Sequence, residues 1–295
     1  MALIARQDID LAVIASPNDT HAPLALAALE AGKHVLVDKP FTVTVAEADA
    51  VAATARRANR IAAVYQNRRW DADFLTLRNV LESGTLGEIV TFESRIDRYR
   101  PGVPDRWRDR PGPGAGLLYD LAPHLMDQAL VLFGWPDWIE AEAMTQRKDA
   151  SVVDAFFLRL GKGRLRMHLS AGALFADSGL RFGVHGTRGS FVKTGIDVQE
   201  DKLRAGASPR APGFGAEPEV NWPMVTTIEH GKPTARRVAT EPGRYLSFYE
   251  GLRKAIEGGG PVPVTAEEGR RVMLLIELAL EANRTHGRVA CGSDT

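Results

Sequence analysis

Residues 10–40 read DLAVIASPNDTHAPLALAALEAGKHVLVDKP, and the way this stretch is punctuated decides the fold of the first part of the chain. Leu11-Ala12-Val13-Ile14-Ala15 is an unbroken apolar run between Asp10 and Ser16-Pro17-Asn18. It reads as a strand buried on both faces, and so as part of a parallel sheet. Asn18 or Asp19 then caps a helix with Pro23 in its first turn and Leu24, Leu26 and Leu29 along it, ending at Gly32, where a left-handed residue is wanted. Val35-Leu36-Val37 is a second strand. Thr44 and Glu47 stand three apart as a capping box that opens an alanine-rich helix to Ala58, and Ile61 to Tyr65 is a third strand. Strand, helix, strand, helix, strand at this spacing is half of a doubly wound sheet, which takes its ligands at the carboxyl ends of the strands.

Past Gly87 the period changes from 3.6 to two. Val90, Phe92, Ser94 and Ile96 share one face, and Leu165, Met167 and Leu169 alternate with Arg164, Arg166 and His168. Val153 to Leu160, then Gly161-Lys162-Gly163, then Arg164 to Ser170 reads as a hairpin of an antiparallel sheet with one wetter face. The Gly- and Pro-rich stretch Ala205 to Pro223 reads as a long loop, and Tyr245 to Ile256 and Ala266 to Asn283 as closing helices. The expected fold is thus α/β plus α+β: a partial Rossmann domain at 1–68, followed at 69–295 by a domain with a large, mostly antiparallel sheet.

The composition agrees with two globular domains. The chain has 295 residues, 44% hydrophobic and 25% charged, enough to bury real cores. Lys+Arg and Asp+Glu both number 37, which argues against a nucleic-acid or anionic-membrane partner and fits small neutral ligands better. The single cysteine, Cys291, excludes an intrachain disulfide and a thiolate-rich metal site, so no metal is expected. Met1 to Arg6 carries too few apolar residues for a secretory signal, and a cytoplasmic location is the expectation.

Three segments carry chemistry-bearing residues. Lys39 follows the second strand directly and precedes Pro40, at the carboxyl edge of the sheet; a surface lysine on a loop explains it equally well. Asn18, after the first strand, reads as a cap or as a ligand contact. Asp120 precedes His124 by four residues at the start of a helix ending near Phe133-Gly134. The two side chains are placed to approach each other, although a helix cap and a hydrogen-bonded core histidine account for them as well.

Taken together, these segments resemble the Gfo/Idh/MocA oxidoreductases, the group of glucose-fructose oxidoreductase and inositol dehydrogenase. The resemblance rests on Asp10-Leu-Ala-Val-Ile-Ala-Ser-Pro-Asn-Asp-Thr-His21, on Ala31-Gly-Lys-His-Val-Leu-Val-Asp-Lys-Pro40 and on Asp120-Leu-Ala-Pro-His124. The family's Glu-Lys-Pro reads Asp38-Lys39-Pro40 here. Tyr65-Gln-Asn-Arg-Arg69, Tyr99-Arg-Pro101 and His185-Gly-Thr-Arg-Gly-Ser-Phe191 look like the branch containing NADP-dependent scyllo-inositol dehydrogenases.

The resemblance implies reversible hydride transfer between NAD or NADP and a polyol or sugar carbon. Lys39, Asp120 and His124 match the family's catalytic residues, with His124 as base, Asp120 orienting its ring and Lys39 on the reacting oxygen. It places Ser16, Pro17, Asn18, His21 and Lys39 at the nicotinamide, and Tyr65, Asn67, Arg68, Tyr99 and Asp127 on the polyol side. It also implies a homo-oligomer, a dimer or tetramer, paired through the C-terminal sheet.

One departure stands out. The family's Gly-x-Gly-x-x-Gly turn and the strand that reads the ribose are absent. Ala2-Leu3-Ile4-Ala5-Arg6 reads as the tail of a helix, as if Met1 fell inside a longer frame by about 60 residues, given the size of a βαβ unit. The strand at Leu11 would then present an apolar edge, with poor solubility or loss of the first domain's cooperativity as the expected result. Two competing readings remain at this level: a non-catalytic sugar-binding or assembly remnant without a nucleotide site, and an NAD-dependent glycosidase.

Overall fold

The computed structural model describes residues 4–177 and 179–294. Its first part is β1 (Leu11–Ile14), α1 (His21–Glu30), β2 (His34–Val37), α2 (Val45–Arg57) and β3 (Ala62–Val64). The three strands are parallel in the order β1-β2-β3, with Leu11 opposite His34 and Val35 opposite Ala62. The capping box forms as expected: the Glu47 amide donates to Thr44 Oγ1 at 3.2 Å and the Thr44 amide to Glu47 Oε2 at 3.0 Å.

Two local expectations fail. Asn18 does not cap α1: residues 18–20 form a 3-10 turn with no side-chain cap, and the Asn18 amide is spent elsewhere. Val13 is 61% exposed, so β1 is not buried on both faces, and among the described residues only β2 pairs with it. Ile4 and Ala5 lie in a turn rather than a helix end, and residues 1–3 fall outside the described residues.

The second part contains α3 (Ala72–Glu82), β4 (Ile89–Arg95), α4 (Leu117–Phe133), β5 (Trp138–Met144), β6 (Ala155–Lys162), β7 (Leu165–Gly172), β8 (Leu180–Gly186), β9 (Gly189–Thr194), α5 (Gln199–Arg204), β10 (Met224–Glu229), β11 (Lys232–Arg237), α6 (Tyr245–Ile256), α7 (Ala266–Thr285) and β12 (Val289–Ala290). Nine strands form one sheet in the order β11-β10-β9-β8-β4-β7-β6-β5-β12, antiparallel except for the parallel pair β4/β7. The period-two pattern decides its faces. Leu165, Met167 and Leu169 are buried under the helices, while Arg166 and His168 face out. The stretch 205–223 is irregular apart from a 3-10 turn at Glu219–Asn221.

Helices α4 and α7 cover the inner face of the sheet, and α7 also packs against α2 and β3, joining the two parts of the molecule. Gly269 on α7 makes that approach possible, since a Cβ there would lie 2.6 Å from Val64 Cγ2. α4 is held in place by charge. Arg69 grips Asp127 with two hydrogen bonds of 2.6 and 2.8 Å, and the fully buried Arg181 donates to Asp73, Ser94 and Gln128. No helix among the described residues is long and apolar enough to cross a membrane.

Candidate active site

A cavity of about 420 Å³ opens where the carboxyl ends of β2 and β3 meet the first turns of α4, the position the topology of an open α/β sheet favours. Lys39, Tyr65, Asn67, Arg68, Asp120 and His124 all line it. Gly116, with φ of +85°, precedes α4 and lies so close to the strand side that a Cβ would meet Val153 O at 2.8 Å. The Leu117 amide donates to the same carbonyl at 2.6 Å, which fixes the start of α4 over the cavity.

Lys39 and Asp120 meet across 81 residues of sequence. Lys39 Nζ donates to the Asp120 carbonyl oxygen at 2.6 Å and to Asp120 Oδ1 at 2.8 Å. Arg98 Nη1 and Arg108 Nε stand 3.8 Å from the same carboxylate. Burial pushes the Asp120 carboxyl up, but Lys39, Arg98 and Arg108 outweigh it and hold the group at about 2.

His124 follows one turn along α4 and is 4% exposed. Burial, then Lys39, Arg68, Arg181 and Arg98, keep its imidazole neutral well below the usual histidine range. Its Nδ1 is buried without a hydrogen-bond partner. The expected bond from Asp120 to this ring is not made, because the carboxylate is drawn to Lys39 and the two arginines instead.

The remaining expected contacts divide. Arg68 lines the cavity and is held there by Asp71 at 3.1 Å and Glu200 at 3.0 Å. Asp127 does not reach the cavity; it is 2% exposed and engaged by Arg69. Tyr99 does not line it either and is 61% exposed. Ser16, Pro17, Asn18 and His21 do not line it; Pro17 is exposed, Ser16 half-buried, and Asn18 and His21 are buried. Asn18 Nδ2 donates to Gly114 O at 2.8 Å, and the buried His21 ring lies between Pro40 O at 2.8 Å and Ser16 O at 3.0 Å. His21 thereby ties the turn after β1 to the turn carrying Lys39.

Sequence reasoning missed Arg98, Arg100 and Arg108. A signal for the first two was present. Beyond β4 the chain runs on beside β7, with the amides of Ile96, Arg98 and Arg100 donating to Ser170, Gly172 and Ala173. The face of Phe92, Ser94 and Ile96 therefore continues through positions 98 and 100, and Tyr99 points the other way. Arg108 gave no such signal; it comes from the irregular connection before α4, where its guanidinium lies 4.6 Å over the Trp107 ring.

Comparison with known proteins gives the chain its relatives. Residues 1–66 match the model of the oxidoreductase family's NAD-binding Rossmann fold, and residues 78–291 match its C-terminal alpha/beta domain. YdgJ of Escherichia coli, described only as an oxidoreductase, is 45% identical over 96% of this chain and 81% of its own length. The scyllo-inositol 2-dehydrogenase (NADP+) IolW of Bacillus subtilis is 39% identical over 94% and 77%. The solved structure of the oxidoreductase yvaA from Bacillus subtilis superposes with a TM-score of 0.95 at 37% identity, covering 98% of this chain and 83% of that one. Levoglucosan dehydrogenase in complex with NADH, at 22% identity and a TM-score of 0.81 over 99% of this chain and 82% of its own, shares the fold. Matched over both parts and across nearly its whole length, the chain belongs to the Gfo/Idh/MocA family of oxidoreductases.

Proposed function

We propose that this chain transfers hydride between a nicotinamide cofactor, NAD or NADP, and a secondary alcohol of a polyol or sugar. The observation that carries the reading is the convergence of Lys39, Asp120 and His124 on one cavity. The residues present suit the nicotinamide end of a cofactor. The cavity opens at the carboxyl ends of the parallel strands, and the imidazole of His124 that lines it and the spare donor on Lys39 are groups a bound reactant would engage. Ser16, Pro17 and Lys39 would hold that end, with Asn18 and His21 bracing their turns. A bound nicotinamide supplies the hydride acceptor in oxidation and the donor in reduction.

The protein's own groups handle the proton and the charge. A lysine ammonium has three N–H donors; Asp120 takes two of them and the third is left for the substrate oxygen, where it stabilises developing negative charge. His124, neutral at rest, takes the hydroxyl proton in oxidation and returns it in reduction. Asp120 positions Lys39. Tyr65, Asn67 and Arg68 supply further donors and acceptors to a hydroxyl-rich molecule. The outer face of the nine-stranded sheet, with Phe157, Val192 and Ile228 exposed, is the proposed surface of self-association, in a protein we place in the cytoplasm.

The test is nicotinamide reduction with a panel of inositols and sugars, repeated with His124→Asn and Lys39→Met. Both variants should lose kcat by about 100-fold or more, and a C-deuterated substrate should slow the wild type. Undiminished turnover in His124→Asn, or no reduction with any alcohol tried, would sink the proposal.

A further inference from the structure

The walls of the cavity hold eight Lys or Arg side chains against five carboxylates, although the whole chain is neutral. Most of these charges are paired. Arg147 is held by Asp154 and Asp109, Arg68 by Asp71 and Glu200, and Arg204 by Glu200. The excess is concentrated beside the reacting groups. Lys39, Arg98 and Arg108 share the single charge of Asp120, and neither arginine comes closer to it than 3.8 Å, so their donors are not spent on it. Arg100, on the same side of the chain as Arg98, has no side-chain partner among the described residues and lines the same cavity.

Burial and the neighbouring cations Arg100 and Arg68 weaken the hold of Arg98 on its proton, as crowded like charges require. A group of cations that outnumbers its counter-charge in this way is costly to maintain for a neutral ligand. It is well suited to a carboxylate or phosphate, which arginine binds through two parallel hydrogen bonds.

We propose that the substrate carries an anionic group, a carboxylate or a phosphate ester, which Arg98, Arg100 and Arg108 bind while its carbinol faces Lys39 and His124. The substrate class is then a sugar acid or sugar phosphate rather than a neutral polyol. This inference rests on the dehydrogenase reading for the reaction itself. Anion binding is measurable without it.

The test is calorimetric titration of the full chain with D-gluconate, D-glucose 6-phosphate, neutral D-glucitol and 2′,5′-ADP. At least one sugar anion should bind about tenfold or more tightly than D-glucitol, and the tighter of the two identifies the anionic group. Arg98→Gln and Arg108→Gln should each remove about that factor for the anion and leave D-glucitol unchanged. Arg100→Gln should do the same, and because Arg100 is exposed and unpartnered it also controls for misfolding. Equal affinity for the neutral and anionic sugars, or no binding of either anion at millimolar concentration, overturns the inference. It is also overturned if 2′,5′-ADP competes with the sugar anion and loses affinity in the same variants, since the arginines would then serve the cofactor. Nicotinamide reduction in the same samples separates the two proposals: turnover without anion preference removes only the anion, and anion binding without turnover on any alcohol removes only the chemistry.

Discussion

Replacing Asp120 by Asn tests the charge arrangement at its centre. The carboxyl is held at about 2 in the folded chain against an ordinary 3.8, because three cations surround it despite its burial. A folded pKa below the unfolded one contributes stability that is fully present above 3.8 and lost as pH falls through about 2. The difference amounts to about 2 kcal/mol at pH 7. Asn keeps the shape and an acceptor oxygen for Lys39, and the backbone bond from Lys39 Nζ to the Asp120 carbonyl is untouched, so the loss isolates the charge. Urea unfolding at pH 7 should show Asp120→Asn less stable by about 2 kcal/mol, or about 4 °C lower in Tm for a chain of this size. The gap should hold constant down to pH 5 or so and narrow below 3.8. The variant should also bind simple anions such as phosphate more tightly, since three cations lose their only shared counter-charge. Equal midpoints at pH 7, or a gap that does not narrow in acid, would refute the reasoning.

Gly269→Ala sets helix propensity against packing. Ala favours a helix by about 1 kcal/mol, but its Cβ would press Val64 Cγ2 at 2.6 Å and the Phe41 ring at 3.1 Å. Overpacking of that kind costs about 1–3 kcal/mol, so a net fall in Tm is expected, and a rise would contradict the close approach of α7 to β3. Burial pushes the Glu217 carboxyl up to about 7 even though Lys193 Nζ lies 3.3 Å away. A raised carboxyl pKa lets the unfolded chain ionise first, so stability falls as pH rises from 4.5 to about 7; Glu217→Gln should remove that slope, about 3 kcal/mol across the window. Identical pH dependence in wild type and variant would discard the assignment. For the reaction, the acid limb of the oxidation profile should lie well below pH 6.5 and move up toward it in Lys39→Met, the charge that most depresses His124 after burial itself. A wild-type limb at or above 6.5 counts against His124 as the base.

The parts of the molecule that local rules govern were legible. The strand at Leu11, the Thr44–Glu47 box and the alternation around Met167 each follow from a periodicity or a cap, and the structure keeps all three, although Val13 leaves one face of that strand exposed. Asn18 and Asp127 were misread for a shared reason. A buried polar side chain must find a partner, and theirs, Gly114 O and Arg69, lie 96 and 58 residues away, beyond any local pattern. Tyr99 shows how narrow the margin is in an extended chain, where a displacement of one position exchanges the cavity face for the solvent face. The cationic wall was hidden more deeply. Whole-chain neutrality averaged it away, and Arg108 is placed by an irregular connection whose path only the tertiary fold sets.

The same cations act in opposite senses on the two titrating groups at the centre. They hold Asp120 ionised and His124 neutral. A carboxylate bonded to the imidazole would instead have raised its pKa, and the structure avoids this by giving the carboxylate to Lys39. A base with a depressed pKa looks poorly suited to removing a proton from an alcohol. Transfer, however, depends on the difference between donor and acceptor, and the Lys39 and Arg98 charges that weaken the imidazole as a base also lower the pKa of a hydroxyl placed in the same cavity. The field leaves the difference largely intact while favouring the anionic oxygen over the neutral one. On this argument the excess positive charge has two uses at one location, holding an anionic substituent at the arginines and stabilising the alkoxide at Lys39. The cavity can therefore be strongly cationic while its histidine remains an unprotonated base.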